Sequence, residues 1–168
     1  MKNTFLPILV LLMVSCGKTK EVSSLNKVNW QKREARVNPG DSLASGMSYL
    51  SIYSEIYSLD EHETHDLTAT VSLRNINPQD TIYINSAAYY NTHGARIRSY
   101  FDKPIFIAPL ETVEIIIDKV DKEGGTGANF LFDWSTPLQA AQPHFEAVMI
   151  STSGQQGISF TTQGVKVE

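Results

Sequence analysis

Between Leu67 and Asn75 the chain reads LTATVSLRN, with a period of two that limits what this segment can become. Leu67, Ala69, Val71 and Leu73 fall on one face of an extended strand, and Thr68, Thr70, Ser72 and Arg74 on the other. An amphipathic helix would need apolar residues three and four apart, so the segment is a half-buried strand. TIYIN, after the turn NPQD, repeats the pattern with Ile82 and Ile84. NTHGARIRSYF places a tight turn at Thr92 to Gly94, then a strand with Ile97 and Phe101 inward and Arg96, Arg98 and Tyr100 on the opposite face. Further strands are expected in IFIA, TVEIIID, NFLFDW, FEAVMIS and GISFTT, each bounded by Pro, Gly or Asp-containing turns. MSYLSIYSEIYS has tyrosines four apart, as on a helix, but Leu50, Ile52 and Ile56 alternate and β-favouring Tyr and Ile are dense, which favours a strand. About nine short strands without an amphipathic helix predict an all-β fold over residues 47–168. The expected form is an antiparallel β-sandwich, immunoglobulin-like, with a partly closed barrel as the structural alternative.

At 168 residues the chain has room for one domain with its own core. Its net charge of -4 and the lack of a basic tract argue against nucleic acid as a partner. Cys16 is the only cysteine, so no internal disulfide can form. The residues before it, MKNTFLPILVLLMVS, have a charged start at Lys2 and an apolar run from Phe5 to Val14. That run is shorter than the roughly 20 residues a membrane span needs, and it has the make-up of an export signal. Met13, Val14, Ser15 and Cys16 resemble the bacterial lipoprotein signal, with Met13 where leucine is more usual. The resemblance implies a signal peptide over 1–15, lipidation of Cys16 and a membrane partner reached through that lipid. Several acyl chains on one residue meet the need for more than one chain in stable anchoring. Gly17 stands where an aspartate would mark inner-membrane retention, so the expected location is the cell envelope, at the outer membrane facing the periplasm.

From Cys16 to Gly46 the chain is rich in Lys, Ser, Asn and Glu and reads as a polar tether. Within it WQKREARV can form a short helix with Trp30 and Val37 on one side, leaving Trp30 to solvent or to the bilayer interface.

Three glycines lie within four positions in EGGTGANFLFDW. A phosphate loop needs Lys and Ser or Thr after its glycines and a helix beyond, whereas this stretch has no such lysine and runs into an aromatic strand. A dinucleotide fingerprint fails for the same reason. The glycines therefore read as a turn, and Phe130, Phe132 and Trp134, sharing one face, read as core before ligand platform. STSGQQGISF reads as a second turn, a hairpin with Gly154 and Gly157. Together the GGTGANF, EAVM and SGQQGISF stretches, with Trp134, resemble a bacterial lipoprotein family known only as a domain of unknown function. The likeness extends through YSEIY, LTATVSLRN and RSYFDKPIFIAPL and implies no activity.

Catalytic groups are thin in the sequence. EHETHD sets His62 and His65 three apart beside Asp66, one short of zincin spacing, and a solvated loop is the simpler reading. His93 and His144 would add ligands only if the fold converged them. Asp133 and Glu146 could form an acid and base pair if their strands were neighbours, with Arg98 as a partner for either. No catalytic residue, metal or cofactor is expected. The expectation is a lipid-anchored envelope binding module taking an envelope protein or glycan. Its surface would combine Arg98 and Tyr100 with Gly125, Gly127, Asn129, Trp134, Gln155 and Gln156. An envelope hydrolase using His62/His65 or Asp133/Glu146, and a scaffold of a membrane complex, are the alternatives.

Overall fold

The computed structural model describes residues 28–37, 40–153 and 156–168. Its strands are β1 (Leu43–Ile52), β2 (Glu55–Tyr57), β3 (Thr64–Asp66), β4 (Thr68–Arg74), β5 (Ile82–Tyr90), β6 (Arg96–Ser99), β7 (Ile105–Ile107), β8 (Thr112–Ile117), β9 (Ala128–Pro137), β10 (His144–Ser153), β11 (Gln156–Gln163) and β12 (Val165–Lys166). They make two antiparallel sheets packed face to face. One runs β12-β1-β9-β5-β6, with β7 also on β5; the other runs β11-β10-β4-β8. The short β2-β3 hairpin stands apart as its own ribbon.

The period-two residues occupy the space between the sheets. Leu67, Ala69, Val71 and Leu73 are fully buried, as are Phe130 and Phe132, and Trp134 is 1% exposed. Phe132 of β9 stacks on Phe145 of β10 with ring centroids 4.2 Å apart, joining the two sheets at the centre of the core. Phe130 continues the stack to Tyr89 at 4.8 Å. Trp134 lies across Gly46, and its Nε1 donates to Ser48 Oγ at 3.0 Å. A Cβ on Gly46 would come 2.5 Å from the indole, so this glycine makes room for the tryptophan.

Two β-bulges set the phase of the first sheet. Ile84 pairs with Trp134 and Ser86 with Asp133, which leaves Asn85 as an extra residue. Ile82 and Ile84 point inward before it, and Ala87 and Tyr89 after it, because one added residue moves every later side chain to the other face. Asn85 itself donates to Asp133 Oδ1 at 2.9 Å and Ser135 Oγ at 2.7 Å. A second bulge falls at Ile97, since Tyr89 pairs with Arg98 and Tyr90 with Arg96.

The tether expected to run to Gly46 is shorter on the folded side. β1 starts at Leu43 and pairs with β9 over its whole length. Upstream, Trp30–Arg33 form one turn of 3₁₀ helix, capped by Asn29, whose side chain accepts from Lys32 N. Trp30 is half-buried against the domain and not free in solvent: its ring lies 5.1 Å from Phe101 and 6.5 Å from Tyr100. Arg33 pairs with Glu111 at 2.6 Å, Lys103 with Glu34 at 2.8 Å, and Ala35 N donates to Pro104 O. These contacts draw the segment against β7. Cys16 and the residues read as a signal peptide lie outside the described residues.

Candidate functional site

One end of the sandwich gathers the glycine-rich loop and the turns beside it. Gly125–Gly127 form a single 3₁₀ turn that leads directly into β9, with no helix after it. The loop is a turn, as its sequence implies. Thr92, in the β5-β6 turn, fixes it from two sides: its Oγ1 donates to Gly124 O at 3.0 Å and accepts from Gly127 N at 2.9 Å. Ser54 N donates to Gly125 O, while Ser54 O accepts from Leu67 N. Ser54 Oγ and the Tyr89 hydroxyl are 2.9 Å apart. Gly124 fits beneath these groups because it has no side chain; a Cβ there would collide with the Tyr89 hydroxyl and lie 2.6 Å from Ser54 Oγ. Gly125 adopts φ +71°, a left-handed conformation that glycine takes without steric cost.

Arg98 closes the floor of this end. Because of the bulge at Ile97 it stands opposite inward-facing Tyr89, and its guanidinium lies 5.6 Å from the centre of that ring. It pairs with Asp121 at 2.8 Å and Glu123 at 2.9 Å, joining β6 to the loop ahead of the glycines. Arg98 is 15% exposed and Asp121 2%. Burial disfavours the arginine charge, but the Asp121 carboxylate, together with Tyr100 and Glu123, more than offsets it and holds the guanidinium more firmly protonated than usual. Burial likewise pushes the Tyr89 phenol up to about 12, despite the opposing bond from Ser54, and raises Tyr100 as well. The Tyr100 hydroxyl is shielded and makes no hydrogen bond of ordinary geometry; Arg98 is its charged neighbour.

Several sequence-based placements change. Arg98 and Tyr100 do not share an outer face with Arg96: both turn inward over Tyr89 and Phe130, and only Arg96 points to solvent. Arg98 pairs with neither Asp133 nor Glu146. Those two carboxylates do not meet. Asp133 alternates outward on β9 and Glu146 outward on β10, so they lie on opposite outer faces, about 10 Å of sheet-to-sheet core between their backbones. Asp133 accepts from Asn85, and Glu146 pairs with Arg74 at 3.2 Å. Trp134 is a core side chain, not a surface one, several residues along β9 from the glycine turn. His65 belongs to β3 instead of a loop, and its Nε2 lies 3.0 Å from Ser58 Oγ, whereas His62 is exposed beside Glu61. Among the described residues no group of three or more His, Cys, Asp or Glu is placed to hold a metal.

Of the expected surface, Gly125 and Asn129 are half-buried at the loop end, and Gly127 and Gln156 are exposed. Gln155 lies outside the described residues. The register brings the glycine turn ahead of β9 and Gly157 of β11 to the same end of the molecule: Ile52 pairs with Ala128 in one sheet, Ile150 with Thr68 in the other, and Thr152 of β10 with Gly157. Ser54, Thr92 and Asp121 complete the cluster without a sequence motif of their own. Asp121 lies close in sequence to the glycines, but nothing in DKVDKEGG distinguishes it from Asp118, which caps the local turn by accepting from Val120 N.

Away from this end, a cleft of about 690 Å³ lies between the Trp30 turn and the β6-β7 connection. Trp30, Tyr100 and Phe101 supply its aromatic wall, and Asn29, Glu34, Asp102 and Lys103 its polar rim.

The molecule is thus an antiparallel β-sandwich with a rigidly tied, glycine-bearing loop end. Residues 45–167 match the family described as protein of unknown function (DUF3124), and the chain belongs to that family. No curated protein matches it. Among solved structures, a crystal structure of a Thermotoga maritima protein is similar at 7% identity, covering 71% of this chain and 92% of that one, with a TM-score of 0.45.

Proposed function

We propose that this protein is a lipid-anchored module of the bacterial cell envelope that works by binding an envelope protein or glycan through the glycine-bearing end of its sandwich. The observation that carries this reading is the way the loop is held. Thr92, Ser54 and the Arg98–Asp121 pair fix the 3₁₀ turn from three directions, while Gly127 remains at the surface. A loop fixed on a rigid frame presents its exposed surface at little ordering cost, which favours recognition. Asn129 and Gln156 place amide side chains at the same end. The anchor rests on the resemblance of the first sixteen residues to a lipoprotein signal, which lies outside the described residues. That resemblance supports a location at the outer membrane facing the periplasm.

Two measurements test the proposal. Mass spectrometry of the mature protein should find an acylated Cys16, and Cys16→Ser should release the protein from the membrane. Capture from solubilised envelopes, read for both proteins and glycans, should weaken at least about tenfold on Asn129→Ala together with Gln156→Ala. It should be unchanged by His62→Ala. Equal capture by both variants would refute the loop-end assignment.

A further inference from the structure

Among the described residues the two sheets have four edges, and three of them carry protection against pairing with another chain. β12 is two residues long and bears Lys166. β6 is bulged and bears Arg96, and β7 beside it is bridged by Glu34. β8 carries Glu114. Charge, bulges, shortness and cover are the usual guards of a sheet edge. β11 has no charge, bulge or shortness, and β1 reaches only its C-terminal end, where Thr162 Oγ1 donates to Ser51 O at 2.7 Å. β11 is eight residues long, contains no proline, and is exposed over almost its whole length, QGISFTTQ. No charged residue occurs between Glu146 and Lys166. Among the described residues no strand lies on its outer side.

The direction of its backbone groups follows from its register. Gly164 N donates to Phe145 O at 2.8 Å, which makes Phe145 and Gly164 a hydrogen-bonded pair. Alternate pairs along an antiparallel ladder are hydrogen-bonded, so Thr162, Phe160 and Ile158 exchange bonds with Ala147, Met149 and Ser151 of β10. The N–H and C=O groups of Gly157, Ser159 and Thr161 therefore point to the open edge.

We infer that β11 is the interface of a two-fold homodimer, pairing antiparallel with β11 of a second copy so that the β11-β10-β4-β8 sheet continues into an eight-stranded one. A two-fold axis through Ser159 places Ser159 against Ser159 of the second copy and Gly157 against its Thr161, so the open backbone groups satisfy one another. It also sets Ile158, 37% exposed, opposite Phe160 of the second copy, twice by symmetry. Aromatic and β-branched cross-strand pairs of this kind stabilise a sheet. The second copy is favoured over an unrelated strand because a neutral edge brings no like charges opposite itself. Isologous pairing also uses up the longest unguarded strand edge among the described residues of each copy and then stops.

The test uses the full chain in detergent, with its mass read by light scattering after gel filtration and folding checked by near-ultraviolet circular dichroism. Wild type should run as a dimer. Ser159→Lys and Ser159→Glu should each weaken association at least about tenfold, because each places like charges across the axis. The two variants mixed should recover the dimer, while Ser159→Ala should leave it intact. Thr161→Lys gives a second site should either charged variant fail to fold. A wild type that is monomeric at about 100 µM, even if it captures a different chain on this edge, overturns the inference, as does a dimer indifferent to both charges.

Discussion

Replacing Arg98 with Met separates the two roles this residue could have. The substitution keeps the aliphatic bulk over Tyr89 and removes the charge. Asp121, 2% exposed, then loses its cation in a site it cannot leave without disordering the β8-β9 loop. Removing one member of a buried pair costs about 3–5 kcal/mol, because the other charge remains desolvated. The bond to Glu123 adds little, since Glu123 is 65% exposed and an exposed pair contributes at most about 1 kcal/mol. With Arg98 itself still 15% exposed, the lower end of the range, about 3 kcal/mol, is expected for Arg98→Met. Asp121→Asn should cost a similar amount, and the double variant about 1 kcal/mol or more less than the sum of the two. Urea unfolding followed by the emission of buried Trp134 measures all three, with the slope checked for constancy. A loss below about 1 kcal/mol for Arg98→Met, or additive single effects, would refute the claim that this arginine holds the loop from within.

Three further outcomes follow from individual positions. Gly124→Ala, at an ordinary φ of -68°, should cost about 1–3 kcal/mol through the clash with Tyr89 and Ser54 alone, measured by the same unfolding assay. Leu110, 69% exposed with φ 58°, sits in a turn where a side chain is strained, so Leu110→Gly should raise stability by up to about 1 kcal/mol. Glu111 is held below the usual carboxylate range chiefly by its bond from Arg33, with a smaller contribution from Ala108 N. A depressed folded value means that its contribution is present above the unfolded pKa of about 4.3 and is lost as pH falls through the folded one. Glu111→Gln should therefore flatten the acid limb of stability against pH, and an unchanged limb would count against the Arg33 contact.

Much of the sandwich was legible because strands such as LTATVSLRN announce their buried face without help from the rest of the chain. What stayed hidden were the places where the period breaks. Asn85 and Ile97 are single extra residues, and neither has a side chain that marks a bulge; only pairing with β9 and β5 reveals them. The bulge at Asn85 hid the second half of β5, where SAAYY is out of phase with TIYIN, and the one at Ile97 turned Arg98 and Tyr100 inward. The residues before Gly46 read as tether because their anchors are distant in sequence: Trp30 needs Phe101, and Arg33 needs Glu111. For the candidate site, the turn character of the glycines was readable, whereas Ser54, through its backbone, and Thr92, through its hydroxyl, hold backbone groups of the loop that no side-chain pattern encodes.

Ser54 has a wider consequence. Its amide reaches the glycine turn, its carbonyl receives the first amide ahead of β4, and its hydroxyl meets Tyr89 of the opposite sheet. A fluctuation that frees any one of these partners strains the other two, so the Ser54 and Leu67 amides should trade hydrogen for deuterium at a common rate, as a single cooperative unit.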